Sequence, residues 1–139
     1  MAGWNDAIIQ EFRENKGTVG GYFEGASVLL LHSTGRRSGE ERINPLVYLP
    51  DDDRWVVFGT KGGHPFDPHW VLNLESNPDA TIEVGTETIP VRATIVRDEP
   101  ERGELYARQV ARRDGFAEYE EKLDGVRVIP AIVLERREA

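Results

Sequence analysis

Residues 26–60 read ASVLLLHSTGRRSGEERINPLVYLPDDDRWVVFGT and contain three strand-like runs. The runs cover residues 26–34, 42–49 and 54–60, and two turn-forming segments, GRRSGEE and PDDD, separate them. Short strands joined by tight polar turns form antiparallel hairpins, whereas the βαβ units of a nucleotide-binding parallel sheet need long crossovers. This stretch therefore predicts an antiparallel sheet.

The rest of the chain adds a helix with both ends marked. In DPHWVLNLESNP, Asp67 suits the N-cap, Pro68 the first helical position, and Asn77-Pro78 the stop. Beyond this helix the pattern predicts a hairpin over 80–96 with its turn at 85–87, a helix over 99–113 that residues 115–123 continue or restart, and a closing strand over 127–136.

The N-terminus carries a further helix. Trp4, Ile8 and Phe12 recur at helical spacing, which predicts a short amphipathic helix within residues 1–16 that packs on the domain. With about six antiparallel strands and covering helices, the 139 residues are expected to form one α+β domain. So many strands in a short chain favour closure into a barrel, which removes exposed edges.

Composition excludes several classes of function. The chain has 17 Lys+Arg against 25 Asp+Glu, a net charge of −8, which disfavours binding to nucleic acid or to an anionic bilayer. The absence of cysteine excludes disulfides, thiolate catalysis and Cys-ligated zinc. No apolar run reaches membrane-helix length and no secretory signal is visible, so a soluble cytoplasmic protein is expected.

The residues do not indicate a metal site or a known nucleophile. His32, His64 and His69 are the three histidines, and their spacing does not align the ligands that a metal ion needs. The sequence lacks G-x-S-x-G, G-x-G-x-x-G and the P-loop pattern. We therefore expect neither a resident metal nor a dinucleotide-binding parallel sheet.

One cationic cluster stands out against the negative net charge. Arg36, Arg37 and Ser38 fall in one turn between Gly35 and Gly39, where free backbone N–H groups can face an anion. In the next strand, period 2 places Arg42, Asn44, Leu46 and Tyr48 on one face, with Ile43, Val47 and Leu49 on the expected core face.

Two interpretations of this cluster are open. Pro45 lies mid-strand and predicts an interrupted or bulged ladder, as is common beside a site, and Lys61 is expected near the same turn. Alternatively, Arg36, Arg37 and Lys61 form ordinary surface pairs with Glu40, Glu41 and residues 51–53.

Three segments together carry a resemblance. STGRRSGEERINPLVYL (33–49), GTKGGHPFDPHWVLNLESNP (59–78) and RVIPAIVLER (127–136) resemble, in this order, the deazaflavin-dependent nitroreductase family of actinobacteria. The resemblance runs from about residue 27 to residue 136. It implies the split β-barrel fold and binding of coenzyme F420, a deazaflavin that bears a lactyl phosphate and an oligoglutamate tail.

The resemblance also implies roles for individual residues. Arg36, Arg37 and Ser38 would hold the phosphate and the start of the tail, and Arg42 would also meet the anionic part. The positions implied for the deazaflavin ring, its ribityl chain and the covering helix are Pro45, Leu46, Thr60, Lys61, Gly62, His69, Trp70 and Asn73. For Trp70, a place in the core is an alternative.

The implied reaction is hydride transfer from the reduced deazaflavin to a small electron-poor acceptor: a quinone, an activated C=C bond or a nitro compound. In nitroreducing members, tyrosines near the C-terminus shape the substrate pocket; here Phe116 replaces one and Tyr119 matches another. Because phenylalanine cannot donate a proton, the resemblance predicts inefficient nitroreduction. Tyr119 and Tyr48 are the candidate donors, with plain packing as the alternative.

Two other functions stay open at this stage. Phe116 is also compatible with an F420 carrier or store that has no turnover of its own. Other split barrels bind FMN or haem, although none of the histidines stands out as a haem ligand. The sequence leaves the oligomeric state undetermined.

Overall fold

The computed structural model describes residues 4–20, 25–60, 67–113 and 115–138. Its elements are, in chain order, α1 (Trp4–Glu14), β1 (Val28–Thr34), β2 (Glu41–Val47), β3 (Leu49–Asp51), β4 (Arg54–Phe58), α2 (His69–Ser76), β5 (Asp79–Val84), β6 (Glu87–Val96), α3 (Glu101–Arg112), α4 (Gly115–Leu123) and β7 (Ala131–Arg136). The predicted α+β class is confirmed.

The strands form one antiparallel sheet that curls on itself. Its strand order is β2-β1-β5-β6-β7-β4-β3. β2 and β3 stand at opposite ends of this order although Tyr48 alone separates them in the chain, so the two ends of the sheet meet at Tyr48. This is the predicted barrel-like closure. The expected single strand 42–49 splits at Tyr48, because the residues before it pair with β1 whereas Leu49 after it pairs with Val56 of β4.

The predicted bulge at Pro45 is wrong. The register between β1 and β2 runs without interruption from Val28↔Val47 to Thr34↔Glu41, with Leu30 opposite Pro45. Within the described sheet β2 is a terminal strand, so a residue without an N–H can be accommodated on its open side.

Both faces of β1 and β2 are covered by apolar side chains. Leu29 and Leu31 of β1 lie in the barrel interior, whereas Val28 and Leu30 pack with Phe12 of α1. The side chain of Trp4 lies outside the described part of the chain. On β2, Ile43 and Val47 pack with the α1 cluster while Leu46, and Tyr48 just after the strand, pack against the interior cluster. The expected division into one core face and one ligand face is therefore too simple.

The start of α2 differs from the prediction. Pro68 is the N-cap and the helix begins at His69. The carboxylate of Asp67 instead accepts hydrogen bonds from Arg97 and Arg127, both at 2.9 Å. The carboxylate of Asp67 is therefore oriented by two guanidinium groups from distant segments and not by the N–H groups at the start of α2.

At the C-terminal end, β7 begins at Ala131 and not at residue 127. Helices α3 and α4 cover a third cluster that contains Leu105, Tyr106 and Leu123. Among the described helices, none combines the length and the apolar character needed to cross a membrane.

Candidate functional site

A groove of about 1110 Å³ opens between the β1–β2 turn, β2, the end of β4 and the start of α2. Many of the residues predicted from the sequence to bind a cofactor line it: Arg36, Arg37, Ser38, Arg42, Pro45, Leu46, Thr60, His69, Trp70 and Asn73. Lys61 and Gly62, also predicted, lie outside the described residues. The fold thus gathers residues from four separate elements around one opening.

The β1–β2 turn is tightly closed. Gly35 donates its N–H to Glu40 O at 2.7 Å, and Gly39 donates to Gly35 O at 2.9 Å. The hydroxyl oxygen of Ser38 accepts the N–H of Glu40 at 3.1 Å. A Cβ on Gly35 would lie 2.7 Å from that oxygen, so an alanine there would displace the Ser38 hydroxyl from the Glu40 N–H.

Arg36 is held by α2 on the opposite side of the groove. Its backbone N–H and its Nη1 both donate to Asn73 Oδ1, at 3.1 Å and 3.0 Å. Its Nη2 lies 3.3 Å from His69 Nδ1. Neither Asn73 nor His69 is an anion, so these contacts do not neutralise Arg36. Its positive charge stays available to a ligand.

Among the described residues that line the groove, Arg37 and Arg42 are the other two arginines. Within the described ranges Arg37 is exposed and has no hydrogen-bond or ion-pair partner. Arg42 lies 3.6 Å from a carboxylate oxygen of Glu40, and both side chains are more than half exposed. A pair of that kind contributes about 0–1 kcal/mol, so it leaves Arg42 free to rearrange.

The alternative interpretation of ordinary surface pairing is wrong for Arg36 and Arg37. Asp51 pairs with Arg54 and Arg108. Glu41 lies 3.2 Å from Nδ1 of His32. Lys61, the third residue in that interpretation, lies outside the described part of the chain. The acidic neighbours in sequence thus have other partners.

The inner wall of the groove is apolar. Pro45, Leu46, Phe58 and Trp70 line it beside Thr60. Trp70 is 6% exposed and belongs to the interior cluster, so it is a core residue that also lines the groove, and its contact with a cofactor stays a prediction. A wall of flat and branched side chains can pack against a planar ring while the cationic end meets an anion.

Phe116 and Tyr119 lie in a neighbouring aromatic cluster and are not among the described residues that line the groove. The Phe116 ring centroid is 5.5 Å from that of Tyr119 and 6.3 Å from that of Phe58. Phe58 is shared by the cluster and the groove wall. Tyr106 donates its hydroxyl to Phe116 O at 2.5 Å, and burial raises the pKa of its phenol.

Tyr48, the other candidate donor, lies elsewhere. It packs against the interior cluster and lines a separate cavity of about 280 Å³ beside Arg112. The groove also contains residues that sequence reasoning missed: Asp6 and Ile9 of α1, and Phe58. Alternation in RWVVF could have indicated an inward Phe58, whereas no local pattern reveals that α1 reaches the groove.

Comparison with known proteins gives the family. The family described as F420H(2)-dependent quinone reductase matches residues 5–136. An F420H(2)-dependent quinone reductase of Mycobacterium tuberculosis (strain ATCC 25618 / H37Rv) is 34% identical over 138 residues, covering 96% of this chain and 88% of the relative. The resemblance seen in the motifs is thereby confirmed, with quinone reductases as the named relatives.

Solved structures agree. An F420-H2 dependent reductase has a TM-score of 0.69 and 30% identity, covering 78% of this chain and 93% of its own. A structure described as a domain-swapped dimer has a TM-score of 0.71 and 29% identity, covering 91% of both chains. These comparisons fit a reductase better than a carrier or an FMN-binding protein. The chain belongs to the F420H(2)-dependent quinone reductase family and is an oxidoreductase that uses coenzyme F420.

Proposed function

We propose that the groove holds coenzyme F420, with its phosphate and glutamate tail along the turn and its ring against the apolar wall, and that the acceptor is a quinone. The observation that carries this proposal is the cationic end of the groove formed by Arg36, Arg37 and Arg42. The family name supports the quinone as acceptor.

The residues present fit the anionic part of the cofactor. Each charge-assisted contact to a phosphate or carboxylate contributes about 1.5–3 kcal/mol, so two or three contacts can hold a polyanion on a chain of net charge −8.

When bound, reduced coenzyme F420 supplies a hydride, and a quinone needs one hydride and one proton to become a hydroquinone. The protein's part is to bind, orient and exclude water. Pro45, Leu46 and Trp70 form a wall with few exposed polar atoms, which keeps water from the ring. The proton comes from solvent or from a side chain beside the groove, where the ring of Phe58 in the groove wall packs on Phe116 and Phe116 packs on Tyr119.

A fluorescence titration of oxidised F420, with FMN in parallel, tests the proposal. We expect Arg36→Ala/Arg37→Ala to weaken F420 binding at least about a hundredfold, since two charge-assisted contacts are lost. Arg92→Ala/Arg136→Ala is the matched control, because it removes the same charge from exposed residues outside the groove. Equal loss in both double variants, or a preference for FMN, would contradict the assignment.

The quinone is tested separately with reduced F420 and a panel of quinones, enones and nitroaromatics. We expect quinones to be reduced fastest and nitroaromatics slowly. Rapid nitroreduction together with inert quinones would contradict the proposed acceptor.

A further inference from the structure

Arg127 joins two segments that border the groove. Its Nη1 donates to Asp67 Oδ1 at 2.9 Å, and its Nη2 donates to the backbone oxygen of Thr60 at 3.0 Å. The side chains of Arg127 and Asp67 are only 12% and 16% exposed. One guanidinium therefore connects the second residue after β4 to the second residue before α2.

The local chain is built to direct this side chain inward. Residues 126–129 alternate: Val126 and Val128 are 57% and 53% exposed, whereas Ile129 is 2% exposed and Arg127 is largely buried. The N–H of Arg127 donates to Leu123 O at 3.1 Å, which ties the segment to the last turn of α4. Burial lowers the pKa of Arg127 and the carboxylate of Asp67 opposes this, so the guanidinium remains charged.

We propose that Arg127 is a positioning residue for the cofactor groove. Thr60 lines the groove two residues after β4, and Pro68 and His69 line it at the start of α2. Arg127 is not among the described lining residues, so it acts through these two segments by holding them at a fixed separation. The inference rests on the proposed function, because it takes the groove to be the F420 site.

The two contacts of Arg127 need a guanidinium, and the nearby Arg97 offers a control. A guanidinium donates in two directions from one rigid plane, whereas a lysine ammonium is a point charge that cannot reproduce both contacts in the same geometry. Arg97 also donates to Asp67, at 2.9 Å, but its other partner is Glu75 and its side chain is 41% exposed. Arg97 thus shares the carboxylate without reaching Thr60.

The test is a titration of oxidised F420 into the full chain, with thermal unfolding measured on the same samples without F420. We expect Arg127→Ala and Arg127→Lys to weaken F420 binding about tenfold, a typical coupling through packed elements, and Arg97→Ala to change it less than about twofold. In Arg127→Lys and in Arg97→Ala, Asp67 keeps at least one cationic partner. We therefore expect the two variants to unfold at similar temperatures. Arg127→Lys thus remains informative if Arg127→Ala fails to fold.

A double variant separates positioning from general destabilisation. Asp67→Ala and Arg127→Ala each remove the hydrogen bond between the two side chains, so the double variant should bind F420 no more weakly than Arg127→Ala alone. Losses that add in the double variant, or Arg127 variants that bind F420 as the wild type does, would overturn this inference while leaving the proposed function intact. A wild-type protein that does not bind F420 would overturn both.

Discussion

Asn73 Oδ1 accepts two hydrogen bonds from Arg36, one from its backbone N–H and one from Nη1. Asn73 is 5% exposed, so this oxygen is shielded from competing water. The pair connects α2 to the β1–β2 turn and fixes the direction of one guanidinium at the cationic end of the groove. Asn73 can therefore support anion binding by orienting Arg36, without contacting the ligand itself.

Replacing Asn73 should weaken anion binding. Asn73→Ala leaves two donors of Arg36 without their acceptor, and we expect about a tenfold loss in F420 affinity, equal to about 1.4 kcal/mol. Asn73→Asp should weaken binding further, because a carboxylate neutralises Arg36. Fluorescence titration measures both effects, with Asn77→Ala as the control at the exposed end of the same helix. Tighter binding by Asn73→Asp would contradict this role.

Removing the carboxylate of Glu40 should strengthen cofactor binding. Glu40→Gln frees Arg42 from its exposed partner at 3.6 Å, and we expect a gain of about two- to fivefold, within the range of a surface pair. The gain should disappear at high salt, where exposed charges are screened. Glu104→Gln is the control, because it changes the net charge by the same amount at an exposed position on α3. Weaker binding in Glu40→Gln would contradict the assignment of Arg42.

Two glycines of the same turn should respond differently to alanine. Gly35→Ala places a Cβ 2.7 Å from Ser38 Oγ and distorts the cationic turn, so F420 affinity should fall markedly. Gly39→Ala meets no atom within 4 Å, but φ is +72° there, so it should cost about 1 kcal/mol of stability with little effect on the groove. Titration and thermal unfolding distinguish the two outcomes, and identical behaviour of the two variants would contradict this account of the turn.

Stability at acidic pH should depend on Glu83. Arg13 donates to it from α1, His32 Nε2 lies 2.5 Å from it, and these contacts hold the pKa of Glu83 below its ordinary value of 4.5. A lowered carboxyl pKa stabilises the folded state above the unfolded value, and the stabilisation is lost as pH falls through the folded pKa.

Glu83→Gln should therefore reduce the free energy of unfolding by about 1 kcal/mol at pH 7, and the difference should shrink towards about pH 3. Thermal unfolding at several pH values measures it, with the exposed Glu87→Gln as the control. A difference that grows on acidification would be opposite to the expected sign.

Much of the fold follows from local pattern. Alternating runs and polar turns predicted the hairpins, and contiguous cations marked the turn at residues 35–39. The errors arose where distant residues decide the outcome. Asp67 caps nothing because Arg97 and Arg127, 30 and 60 residues away, bind its carboxylate. No local rule reveals such partners.

In the site, too, local motifs predicted some residues, whereas contacts between distant segments decided others. The arginines and the α2 residues were predicted from their motif, whereas the wall formed by Asp6 and Ile9 depends on where α1 packs. Arg127 was hidden inside a predicted strand, although the structure has an extended segment there before β7 begins at Ala131. The roles of all these residues in binding a cofactor or a substrate, including those of Lys61, Phe116 and Tyr119, stay predictions.

The central claim is that the cationic turn holds the anionic tail of the cofactor. The most direct measurement compares the wild-type affinity for F420 with that for the deazaflavin fragment lacking phosphate and glutamates, each at low and high salt. We predict that F420 binds much more tightly and loses affinity as salt rises, whereas the fragment binds weakly and independently of salt. Equal affinities with the same salt response would contradict the account.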